Sequence, residues 1–249
     1  MANWIAPAAL SQATFPPSDN VGGVNSSIQM AYALRVPARI TKITVNLSVA
    51  KTTALSVTEW SNIVDSSPSD GSNKGNTASS TGAPTAAVTT AGSNSLAIGG
   101  IGGIGTAPAL NNAGSTPASG WTALSLLTAS TNLALFAYQI LASAQAGAAV
   151  AFTWVTAGIE ATIMAAFKSI GTPALLNQTE ANFGVVSSAT ITIPATQESS
   201  LLVVLVAQAA ASTAGLITSI TDNAPSRAGV FSSVGKPGPR VPDNKFGGR

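Results

Sequence analysis

From Gly75 to Ile159 the chain carries no Asp, Glu, Lys or Arg, an uncharged run of 85 residues bounded by Lys74 and Glu160. The rest is hardly more polar. Only 20 of 249 residues are charged, 11 basic and 9 acidic, while Ala, Ser, Thr and Gly together supply 125. There is no His and no Cys. Thiol and imidazole catalysis are therefore excluded, as is any metal site built on Cys or His. The acid/base repertoire shrinks to nine scattered carboxylates, six lysines and two tyrosines. A surface so poor in charge is kept in solution by hydroxyls and amides, which suits particles and filaments where copies touch closely.

What such a chain can build is set by its apolar pattern. Ile43, Val45, Leu47 and Val49 alternate with Thr44, Asn46 and Ser48, the period-two signature of a half-buried strand. Ala189 to Ile193 does the same. Further strands are predicted at 28–36, 55–60, 86–90, 95–101, 121–127, 133–140, 149–155, 161–167, 201–207 and 216–221. About twelve short strands separated by turn-rich segments indicate an all-β sandwich or jelly roll. Hydrophobic content of 45% is enough for a packed core. The length admits one large all-β domain or two smaller ones.

Two uncharged windows, 132–159 and 201–220, are long enough for a membrane span. Polar residues break both, Gln139, Ser143 and Gln145 in one and Gln208, Ser212 and Thr213 in the other, so they read as buried strands. Residues 62–84 and 99–120 read as long polar or Gly-rich loops. The run Gly99-Gly100-Ile101-Gly102-Gly103-Ile104-Gly105 lacks the Lys-Ser/Thr ending of a phosphate loop and reads as a strand end or loop. Met1 to Pro7 has neither the basic nor the apolar region of a signal peptide. Sequons at Asn25, Asn46 and Asn177 are what chance gives in a chain with 57 Ser and Thr. Five of the eleven positive residues (Arg227, Lys236, Arg240, Lys245, Arg249) fall in the last 23 positions, a basic Gly/Pro-rich tail.

Three segments carry a family likeness. They are Ser56-Val57-Thr58-Glu59-Trp60-Ser61-Asn62, then Asn94-Ser95-Leu96-Ala97-Ile98-Gly99-Gly100, then Gly120-Trp121-Thr122 through Tyr138-Gln139-Ile140 and Phe152-Thr153-Trp154 to Ala165-Ala166-Phe167-Lys168. Their order from Ser56 to Lys168 resembles the β-sandwich modules, jelly-roll or immunoglobulin-like, of bacterial surface proteins and phage structural proteins. Asn62 stands where that pattern has Gly. The resemblance implies an exposed, non-enzymatic structural or adhesive module. Such modules open with strands like Ser200 to Val206 and Ile217 to Asn223, followed by an Asn-Trp pair. Here those strands lie near the C-terminus and the pair is Asn3-Trp4. The order is that of a circularly permuted module, of one completed by strands from a neighbouring subunit, or of one slice of a tandem array.

Among polar residues, Glu59 sits on a strand beside Trp60 and is predicted to face away from it. It reads as a structural carboxylate at a strand end, with a ligand or ion contact the sharper alternative. Asp65 and Asp70 share a Ser/Asn/Gly segment that offers oxygens to Ca²⁺, without the spacing of a calcium loop. Asp222-Asn223 reads as a turn former and Glu160 as an exposed loop residue. Trp4, Trp60, Trp121 and Trp154 are predicted in the core rather than on a sugar-binding platform.

The sequence thus predicts an N-terminal arm (1–23), a β-sandwich core (24–170), C-terminal strands completing this or a neighbouring sandwich (171–224) and a basic tail (225–249). It predicts no catalytic, cofactor or metal residues. The role expected is a structural subunit of a virion or extracellular surface assembly, first of all a phage shell, decoration or fibre protein. A cell-surface filament built by strand donation and a carbohydrate-binding or adhesive module are the alternatives. Expected partners are further copies of the chain and other virion or surface proteins. Nucleic acid would be met only weakly, through the tail, and no membrane span is expected. The uncharged run, with Ser, Thr, Asn and Ala on its outer face, is a candidate subunit interface.

Overall fold

The computed structural model describes residues 3–5, 13–14, 25–76, 80–104, 107–124, 126–129, 132–158, 160–210 and 217–223. In chain order its strands are β1 (Asn3–Ile5), β2 (Ala13–Thr14), β3 (Asn25–Val36), β4 (Lys42–Ile63), β5 (Ser69–Asn76), β6 (Ser80–Pro84), β7 (Ser95–Ile104), β8 (Ala109–Leu110), β9 (Thr122–Ala123), β10 (Leu127–Ala129), β11 (Asn132–Leu141), β12 (Ala151–Gly158), β13 (Ala161–Phe167), β14 (Ser169–Thr192), β15 (Ser200–Ala210) and β16 (Ile217–Asp222). The fold is all-β. A 3-10 turn at Asn112–Gly114 is the helical element among the described residues. No helix there is long and apolar enough to cross a membrane.

The strands form three antiparallel sheets. The first has the order β1-β3-β15-β4-β14, with β2 on β3 and β16 on β4. The second is β10-β11-β7-β13-β5, with β9 on β11, and the third is β6-β12-β8. The first two sheets stack over a central core. Met30, Trp60, Leu201, Val203 and Leu205 of the first sheet meet Ile98, Phe136, Ile163 and Phe167 of the second. The other face of the second sheet, with Ala97, Ile101, Leu135 and Met164, packs on Phe152 and Trp154 of the third.

The first sheet also covers its own outer face. Ser48, Val49 and Ala50 are exposed in the middle of β4, where the chain turns over. On the far side of that bend Ile43, Val45 and Leu47, with Ala189 and Ile191 of β14, pack onto Leu55, Val57, Leu202, Val204 and Val206. The result is four β layers separated by three apolar cores.

This stacking explains the local sequences. The run Leu201 to Ala207 lies fully buried on both faces, so both parities must be apolar. Burying each Leu or Val there contributes about 1.5–3 kcal/mol. The half-strand at Ile43 to Leu47 has one face inward and alternates accordingly. The glycines of β7 serve close approach. A Cβ on Gly100 would overlap Cδ1 of Phe136, and one on Gly99 would overlap Cγ1 of Val150. Bare backbone at these two positions lets large side chains of two different cores reach the sheet.

Several expectations are corrected. The strand predicted at 95–101 is β7, and it continues to Ile104, so the part of the glycine run up to there is not a loop; Gly99 and Gly100 are paired on both sides, to β11 and β13. The polar segment 62–84 is not one loop, because it holds β5 and β6. As a sheet edge, β5 needs no apolar residues on its solvent side. The strands predicted at 43–49 and 55–60 are one, β4, since no Gly or Pro interrupts them. Residues 86–90 form no strand and make only a bridge from Val88 to Ala148. The stretch 121–127 breaks into β9 and the start of β10. Strand β14 begins at Ser169, so the expected 24–170 and 171–224 segments share it. Strand β15 sits between β3 and β4 of the same chain. Of the 1–23 arm, Asn3–Ile5 and Ala13–Thr14 pair with β3. The basic tail lies outside the described residues.

Candidate functional site

The described carboxylates are placed by the strands, and the contacts of three show what they do. Glu59 is 1% exposed on β4 and, by alternation, faces the opposite side from Trp60. Its Oε1 accepts from the Gln197 backbone N–H at 2.6 Å and from Ser200 Oγ at 2.7 Å. Its Oε2 accepts from Asn177 Nδ2 at 2.5 Å. One carboxylate thus ties β4 to β14 and to the segment that leads into β15. Charge-assisted bonds of this kind stabilise by about 1.5–3 kcal/mol each. The arrangement is a clamp on three strands, and the carboxylate does not open onto solvent.

Asp70, on β5, holds the 91–95 turn before β7. Its Oδ1 accepts from the Ala91 N–H at 3.1 Å, and its Oδ2 accepts from the Gly92 N–H at 3.0 Å and Ser95 Oγ at 2.6 Å. Burial pushes its carboxyl up. The hydrogen bonds from Ser95, Ala91 and Gly92, with the positive charge of Lys168, outweigh that and hold it below the ordinary 3.8. Asp65 lies elsewhere and pairs with Arg35 at 3.0 Å, both side chains mostly exposed. The two aspartates therefore serve separate contacts and do not share a site. Among the described residues no group of three acidic side chains converges on a metal-sized position.

Glu160 is a correction: it is 7% exposed, not a solvated loop residue. It lies between β12 of the third sheet and β13 of the second, just before Ala161. Asn223 does more than form a turn. Its Oδ1 accepts from the Thr41 and Lys42 N–H groups at 2.9 and 2.8 Å, fastening the end of β16 to the start of β4.

The tryptophans are structural where they are described. Trp60, Trp121 and Trp154 are 0, 3 and 7% exposed. Trp60 stacks edge-on against Tyr138 with ring centroids 4.8 Å apart, and its Nε1 donates to Thr58 Oγ1. These three offer no exposed platform. Trp4 contributes backbone to β1, opposite Ala33, and its side chain lies outside the described residues. Two of the sequon asparagines are occupied in side-chain bonds, Asn177 with Glu59 and Asn46 with Ser219 and Ser188.

Sequence reasoning missed the partners. Ser95, Asn177 and Ser200 complete the clamps, and Thr196 joins its segment to Ile40 and Pro37. They are ordinary residues in a chain half made of small ones, and only long-range pairing singles them out. Comparison with protein-family descriptions, curated proteins and solved structures finds no match to this chain.

The uncharged run is divided between core and surface: Ser95 to Gly102 and Ala134 to Ala137 are buried, whereas Thr153, Val155, Thr156 and Ala157 are exposed. It supplies β6 to β12, and the outer face of the second sheet is covered by the third. The third sheet also belongs to the uncharged run, and its outer side, with Val155 81% exposed, remains at the surface. A different element stays open: β14 pairs with β4 on one side, and no described strand pairs with its other side.

Proposed function

We propose that the chain is a non-enzymatic structural subunit of a multimeric assembly on a virion or extracellular surface, of the shell, decoration or fibre kind, with a phage virion the first setting. The observation that carries this reading is the use made of the scarce carboxylates. Glu59 and Asp70 are buried, and each accepts three hydrogen bonds that hold strands or a turn in place. Chemistry that these acids would otherwise offer is committed to rigidity, and what faces outward is mostly hydroxyl, amide and methyl. Such a surface has little charge to desolvate when copies pack together. The jelly-roll or immunoglobulin-like resemblance of 56–168 points the same way.

Negative-stain microscopy of the purified full chain tests the reading. Regular particles, sheets or filaments are expected. A monodisperse monomer at every attainable concentration would overturn it.

A further inference from the structure

We draw no further inference here: the strongest candidate, the outer face of the folded-over layer, where Thr190, Thr44 and Thr221 stand in register across β14, β4 and β16 with Ser188, Asn46 and Ser219 as the next row, is a patch of small polar side chains bonded to one another, and nothing in the structure shows what covers it.

Discussion

The Glu59 clamp makes a demand that can be measured. Replacing Glu59 with Ala removes acceptors from the Gln197 N–H, Ser200 Oγ and Asn177 Nδ2 together and leaves a void beside them. A buried donor left unsatisfied costs about 1–3 kcal/mol, and breaking a buried, hydrogen-bonded charge costs about 3–5 kcal/mol in total. The larger figure is the expected loss, a large share of the roughly 5–15 kcal/mol that holds a domain together. Glu59→Gln should cost only about 1–2 kcal/mol, because a carbonyl oxygen still serves Gln197 and Ser200 while charge assistance is lost. In that variant the new amide N–H faces Asn177 Nδ2, two donors together. Adding Asn177→Asp restores an acceptor there, so the double variant should be more stable than the sum of the single losses predicts. Urea unfolding followed by tryptophan fluorescence reads all the variants, since Trp60 follows Glu59 directly on β4. Losses under about 0.5 kcal/mol for Glu59→Ala, the range of an ordinary surface change, would refute the assignment. So would strict additivity of Glu59→Gln and Asn177→Asp.

Three further outcomes follow from the packing. Asp70 has a lowered native pKa, so its contribution is present above the ordinary 3.8 and is lost as pH falls through the native value. Asp70→Asn should flatten that acid limb of a stability-against-pH curve, read by urea unfolding; an acid limb of unchanged slope would count against the assignment. Gly100→Ala drives a methyl into Phe136 and should cost about 1–3 kcal/mol in thermal unfolding, whereas Gly147→Ala, with nothing within 4 Å, should be close to neutral. Trp121→Ala should destabilise by about 3–5 kcal/mol, as removal of a buried aromatic does. Glycan binding that disappeared in Trp121→Ala at unchanged stability would favour the carbohydrate-binding alternative.

Some of this architecture is written in short stretches. Period-two alternation at Ile43 to Leu47 identified a half-buried strand, and the unbroken run Leu201 to Ala207 identified a doubly buried one. Both are local consequences of side chains pointing alternately to opposite faces. The polar strand β5 and the middle of β14 were not legible, because an edge strand is stabilised by its ladder bonds and need not show an apolar face. Glu160 was misread because charge suggests exposure, whereas burial is decided by tertiary packing that the local sequence does not show. The Glu59 clamp was foreseen as a role but not as a set of partners, since Asn177 and Ser200 lie 118 and 141 residues away.

By itself, then, the sequence determined the all-β class, the paucity of reactive groups and the strands with strong apolar pattern. Tertiary structure decided which strands are central and which are edges. It seated β15 in its own sheet and laid a third sheet, drawn from the uncharged run, over the second. The physical reason is range: strand propensity and patterning act over a few neighbouring residues, whereas pairing, stacking and edge exposure depend on contacts between segments far apart in the chain.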